Sequence, residues 1–261
     1  MKPLRVDSVQ DQLQTRWLGR SLNVKTSTES TNDDAREALD SGAVEGHVIL
    51  AEHQTKGRGS RGRKWESPSG QDLYLSIVYR PSLGLDRLPC LALTVGLGVC
   101  DAVHQLLGRP AEVKWPNDVL LDRDKCAGIL IESASTGHQL HGTILGIGLN
   151  VNRTHFSAEL EGQATSLAIV AKRSFDRCHV LCLLLRCVES RLDELGRDGP
   201  ETILDQLEPL LAYRGAHVEI QGVRGIALGL SNTGGFRVRQ SDGTVQTLHS
   251  GVLEPKTHPG A

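Results

Sequence analysis

The run Gly57-Arg58-Gly59-Ser60-Arg61-Gly62-Arg63-Lys64-Trp65 places three glycines and four cations in nine residues. Glycine permits left-handed backbone and close approach of a ligand. Arginine and lysine supply charge-assisted donors for phosphate or carboxylate. Such a loop is suited to holding an anion, although a solvated basic loop with no ligand has the same composition. Gly57, Gly59 and Gly62 also have the G-x-G-x-x-G spacing, which opens a dinucleotide fold only if a helix follows directly. Here Glu66-Ser67-Pro68-Ser69-Gly70 follows and reads as a turn. Arg61 and Arg63 flank the third glycine, where helix–sheet packing would want small apolar neighbours. The dinucleotide reading is rejected.

Three further groups bear on the chemistry. Lys114-Trp115-Pro116-Asn117-Asp118 reads as a strand end entering a turn, and alone means no more than that. Lys125-Cys126-Ala127-Gly128-Ile129-Leu130-Ile131-Glu132 is a strand with a lysine at its mouth and a glycine inside, a pattern that marks close backbone approach by a ligand. Gly146-Ile147-Gly148-Leu149-Asn150-Val151-Asn152 puts two glycines on one strand face, opening a slot that larger side chains would fill.

The elements that must position these groups are legible in outline. A first helix is predicted over residues 32–40, with Ser30, Thr31 and Asn32 as capping side chains, Asp33 and Asp34 at its positive end and Gly42 as its stop. Strands are predicted at 47–52, 72–80, 112–115, 119–121, 127–132 and 141–151, the second alternating Leu73, Leu75, Ile77 and Tyr79. Residues 86–107 are apolar nearly all round and predict a buried helix; 175–195 and 201–211 predict two more. From Tyr213 onward short β-like runs alternate with turn signals, predicting a small all-β barrel. Strands and helices without regular alternation give an α+β class.

Bulk composition narrows the function. Net charge is −2, so general electrostatics give no case for nucleic-acid or membrane binding, and the cations of the opening loop are a local device. The N-terminal residues lack the apolar core of a signal peptide. The six cysteines lack paired CxxC spacing and read as buried free thiols; Cys178, His179 and Cys182 lack an evident fourth ligand for a metal. His138 and His141 are expected to be solvated beside a hairpin. A cytoplasmic location is expected.

Together and in this order, the motifs closely resemble those of the biotin protein ligases. The matching pieces are Glu29-Ser30-Thr31-Asn32, residues 54–65, Lys114 to Asp118, Lys125 to Glu132 and Gly146 to Asn150. The resemblance implies a class II synthetase-like mixed sheet with helices over residues 1–212, then a small Src-homology-3-like β-barrel over 213–261. It implies biotin, ATP and Mg²⁺ as ligands and a biotin carboxyl carrier protein or domain as partner, its lysine accepting biotin from biotinyl-5′-adenylate. It further implies that Ser30, Thr31, Asn32, Gln54, Arg58, Gly59, Ser60 and Lys125 bind biotin, and that Arg58, Arg61, Arg63, Trp65, Lys114 and Asn150 bind nucleotide. Lys125, Arg58 and Asp118 are the implied catalytic residues, Asp118 to orient the incoming amine or a metal.

Two readings compete with this one. A lipoate ligase would share the fold and the acyl-adenylate logic, but the Gly-Arg-Gly loop and Lys-Trp-Pro-Asn-Asp favour biotin. A DNA-binding repressor is not expected, because the motif helix begins near Asn32. The family includes monomers and homodimers, and either is open here. One residue departs from the pattern: the loop of the family often reads Gly-Arg-Gly-Arg, and here Ser60 replaces the second arginine.

Overall fold

The computed structural model describes residues 2–81, 83–84, 87–136 and 139–256. Its centre is a seven-stranded sheet of β1 (Leu22–Lys25), β2 (Val48–Ala51), β3 (Leu73–Tyr79), β4 (Glu112–Lys114), β5 (Asp118–Leu121), β6 (Asp124–Thr136) and β7 (Gln139–Leu149), in the order β1-β2-β3-β7-β6-β5-β4. β1 and β2 are parallel, and every other neighbouring pair is antiparallel.

Both faces of this sheet are covered, which is why all seven residues of β3 are buried. Leu73, Leu75, Ile77 and Tyr79 face the main core, shared with helices α3 (Pro89–Leu107) and α5 (Arg177–Asp198). Val78 faces a smaller cluster in which Ala35 and Leu39 of α2 (Thr31–Asp40) meet Ile49, Ala134 and Ile144. α3 is apolar and long enough by composition to cross a bilayer, but 67% of that window is buried, wedged between sheet and α5. A Cβ on Gly98 of α3 would fall 3.0 Å from the Val188 Cα of α5, so the two backbones approach closely there.

A second sheet of β8 (His217–Ile220), β9 (Val223–Leu230), β10 (Phe236–Arg239), β11 (Val245–Leu248) and β12 (Glu254–Pro255) is antiparallel throughout, in the order β11-β10-β9-β8-β12. It is anchored to the first by Trp115. That indole is buried, lies 5.5 Å from the Phe236 ring and donates from Nε1 to the Gly234 carbonyl at 3.0 Å.

Several boundaries differ from the sequence reading. A helix α1 (Val6–Gln12) precedes the one expected first; only Val9 of it is buried, too thin an apolar stripe to stand out. β1 was not foreseen, being four residues of mixed burial. α5 runs through Gly196 to Asp198 and ends at Gly199, in left-handed backbone (φ 84°), before Pro200 opens α6 (Pro200–Leu207). All six cysteines are buried, and burial pushes the Cys126 and Cys182 thiols up to about 12. His141 is exposed, and His138 lies outside the described residues.

Candidate active site

On the sheet face that carries α2, a cavity of about 450 Å³ opens beyond the end of the helix. The period-2 pattern of β7 shapes its floor. Ile144 packs under α2, while Gly146 and Gly148, next on that face, leave room above the sheet. A Cβ on Gly146 would overlap the Asn32 amide, and one on Gly148 the Trp65 indole. The expected slot is real, but the chain's own side chains enter it.

The first wall is the start of α2. Ser30 occupies the N-cap position, yet its side chain makes no capping bond; its carbonyl accepts from the Asp33 and Asp34 amides at 3.1 and 3.2 Å. The capping role expected of these side chains is therefore not what they do. The Ser30 hydroxyl lines the cavity, and Thr31 and Asn32 join a polar relay. Gln54 Oε1 accepts from the Thr31 amide at 2.8 Å, and its Nε2 donates to Ser67 Oγ at 3.0 Å. The Ser76 hydroxyl lies 2.8 Å from Thr31 Oγ1 and 2.6 Å from Asn32 Oδ1. Asn32 Nδ2 donates to Glu132 at 2.6 Å. Sequence reasoning missed Ser76, although a lone polar residue within an otherwise apolar strand was a usable signal.

The second wall is the glycine-rich loop. It folds as a small hairpin in which the Gly59 amide donates to the Arg63 carbonyl at 2.7 Å and the Trp65 amide to the Gly57 carbonyl at 2.9 Å. Arg61 (φ 61°) and Gly62 (φ 72°) turn its tip in left-handed backbone, so no α-helix follows the third glycine. Gly57 is required by close approach: a Cβ there would fall 2.6 Å from the Trp65 carbonyl. Arg58 is clamped by Asp33 at 2.6 and 2.7 Å and lies 3.4 Å from Glu132. Hydrogen bonding to Asp33 raises its pKa further above the ordinary arginine value. Asp33 and Glu132 as holders of this arginine were not foreseen. Arg63 folds back onto the Ser60 hydroxyl at 3.1 Å. Arg61 stands exposed at the tip and does not line the cavity; every other predicted site residue does.

The third wall carries the remaining charge. Lys125 Nζ is 2.6 Å from Asp118 Oδ1 and 5.2 Å from the centre of the Trp65 ring. Asp118 is fixed at the head of β5 because Asn117 brackets Ile129, donating from Nδ2 to its carbonyl at 2.7 Å and accepting its amide at 2.8 Å. Burial lowers the Lys114 pKa, an effect that Asp118 opposes and Lys125 reinforces. Asn150 is buried, its Nδ2 donating to the Thr165 carbonyl at 2.9 Å. That bond, with the Lys125 amide on the Gln163 carbonyl at 2.9 Å, ties the segment 153–165 alongside the start of β6. The cavity thus has an end of hydrogen-bonding groups whose charges are paired among themselves, Arg58 with Asp33 and Glu132, and an end where Lys114 and Lys125 gather, suited to a neutral polar head and an anion respectively.

The model of the biotin/lipoate A/B protein ligase family matches residues 24–150. The chain is 37% identical over 242 residues to the biotin--[acetyl-CoA-carboxylase] ligase of Mycobacterium tuberculosis, covering 89% of this chain and 88% of that one. It is 30% identical over 248 residues to the bifunctional ligase/repressor BirA of Bacillus subtilis, covering 93% of this chain and 76% of the relative. The biotin protein ligase of Aquifex aeolicus, solved in complex with biotin and ATP, superposes with a TM-score of 0.80 at 29% identity, covering 92% of this chain and all of that one. The chain belongs to the biotin/lipoate A/B protein ligase family, and within it to the biotin protein ligases.

Proposed function

We propose that this ligase activates biotin with ATP in the cavity and passes it to a lysine of a biotin carboxyl carrier domain. The observation that carries the reading is the juxtaposition of a neutral polar relay and a cluster of cations within one cavity. Biotin has the same division: a neutral ureido ring, an apolar tail and a carboxylate. Ser30, Thr31, Asn32 and Gln54 suit the ring. Leu130, on the same sheet face as Gly128 and paired with Gly146, borders the space between the ends, and burying about four methylenes there contributes on the order of 3 kcal/mol.

In the first step a biotin carboxylate oxygen attacks the α-phosphorus of ATP. The bond from that phosphorus to the bridging oxygen breaks, and pyrophosphate leaves. Two anions must meet, so fixed cations determine the barrier. Lys125 is placed for the developing charge, and Asp118 holds it there until substrate competes. Lys114, Arg58 and Arg63 face the phosphates, while Trp65 and Asn150 flank the adenine. In the second step the acceptor amine attacks the acyl carbon, AMP leaves, and the amine loses its proton. Among the described residues no group of three or more His, Cys, Asp or Glu forms a metal site. Asp118, a carboxylate of the cavity lining, would be the residue to help hold a Mg²⁺, which would supply charge neutralisation for the phosphates.

The test is ATP–pyrophosphate exchange with and without biotin, repeated with lipoate. Exchange that requires biotin and ignores lipoate is expected; exchange driven by lipoate overturns the substrate assignment. Mixing with a carrier domain should then yield a biotinylated lysine and AMP.

A further inference from the structure

Arg153 stands just past the glycine motif and was not foreseen as part of the site. It is 3% exposed although charged. Its Nε donates to Asp72 Oδ2 at 2.8 Å, its Nη1 to Glu66 Oε2 at 3.1 Å and its Nη2 to the Glu66 carbonyl at 2.8 Å. Asp72 is fully buried and also accepts the Val151 amide at 2.8 Å. One guanidinium thus joins the end of the glycine-rich loop, the start of β3 and the exit of β7.

The residue before Glu66 is Trp65, and its placement needs an explanation. Its Nε1 is buried without a hydrogen-bond partner, so no bond of its own fixes the ring. The ring nevertheless lies flush against the sheet, where a Cβ on Gly128 would fall 2.8 Å from its Cζ3. Its neighbours hold it. The Trp65 amide is bonded to Gly57 on one side, and on the other Arg153 grips Glu66 at both its carbonyl and its carboxylate, the ion pair fixing the direction of the chain as it leaves Trp65. Lys125 packs on that ring.

We infer that Arg153 is a positioning residue for the nucleotide half of the site: through Glu66 it sets the Trp65 indole, and through the indole it sets Lys125. The inference rests on the ligase reading above. A purely structural role, neutralising the buried Asp72, is separable from it because Glu66 can be changed without touching Asp72.

The test is Glu66→Gln, with Arg153→Lys as a second variant, assayed by biotin-dependent pyrophosphate exchange beside a thermal melt. The Glu66 side chain is 34% exposed, so the fold should tolerate glutamine. Glu66→Gln is expected to raise the KM for ATP about fivefold while biotin affinity and Tm hold. Arg153→Lys, which loses the planar fork, should do the same more strongly. In a Trp65→Ala background, Glu66→Gln should add nothing, because the two act in series. An unchanged ATP KM in Glu66→Gln overturns the inference, and so does an equal fold-change with and without Trp65. If Arg153→Lys fails to fold, Glu66→Gln still decides. Wild-type exchange that does not need biotin would overturn the ligase reading as well, whereas biotin-dependent exchange with an indifferent Glu66→Gln sinks this inference alone.

Discussion

The two ends of the cavity are stabilised in opposite ways. At the α2 end the relay through Gln54, Thr31, Ser76, Asn32 and Glu132 runs at distances of 2.6–3.1 Å. At the β5–β6 end Lys114 and Lys125 gather beside Asp118, with Glu254 also acting on Lys114, and the charge on Lys114 is disfavoured chiefly by burial. A satisfied network costs little to keep and fixes the orientation of whatever neutral group binds it. A cationic pocket with too few anions is a cost to the unliganded fold that an incoming phosphate offsets. One end is built for orientation, the other for charge, and the predictions separate them.

The largest effect is expected at the charged end. Lys125→Ala should lower the rate of biotin-dependent pyrophosphate exchange by about a hundredfold or more, since it removes a donor aimed at charge that develops in the transition state. A near wild-type rate would remove Lys125 from the chemistry and leave the charged end merely a binding surface. The matching change at the neutral end is Gly146→Ala, whose methyl would overlap the Asn32 amide. It should weaken biotin binding, read by titration calorimetry, by about tenfold through displacement of one hydrogen-bonding group. Nucleotide affinity should hold. If both ligands weaken together, the two ends are not independent.

The sequence made the charged end easier to read than the neutral one. Lys114, Lys125 and the loop arginines announce themselves by type and by glycine-rich surroundings. The relay depends on Ser76 and Glu132, which lie on strands remote in sequence from α2 and meet Asn32 only through sheet register. The same holds for Arg153 and Asp72, whose pairing spans 81 residues. Strands and long helices were legible from periodicity. α1 and β1 were not, because each is short and weakly patterned, and tertiary contact rather than intrinsic preference maintains them. Gly128 reads from sequence as a place where a ligand approaches and Gly148 as part of an open slot, but a strand glycine does not specify what approaches, and at both it is the Trp65 indole.

A smaller effect is expected in the glycine-rich loop. Ser60 departs from the Gly-Arg-Gly-Arg pattern that the loop resembles, and its hydroxyl accepts from Arg63. Ser60→Arg returns a cation to the loop and should slow the dissociation of biotinyl-adenylate several-fold, followed by chase after rapid mixing. Equal off-rates would mean that loop charge at this point does not reach the adenylate.

The smallest effect concerns Lys114 and is a matter of sign. Its pKa in the folded protein lies below the ordinary lysine value, chiefly through desolvation. Between the lowered value and about 10.4 the unfolded chain holds a proton that the folded chain has released, so this residue makes stability rise with pH in that window. Below it, the buried ammonium is a standing cost. Lys114→Met should therefore raise the stability of the unliganded protein near neutral pH slightly, on the order of 0.5 kcal/mol for a partly buried charge, and should abolish its share of the alkaline rise. Denaturant midpoints at several pH values measure both. Saturating ATP should shrink the difference in the wild type, because phosphate oxygens beside Lys114 favour the ammonium and return its pKa toward the ordinary value. Identical pH slopes in wild type and Lys114→Met would mean that Lys114 carries no such cost, and the contrast between the two ends would then rest on Lys125 and Asp118 alone.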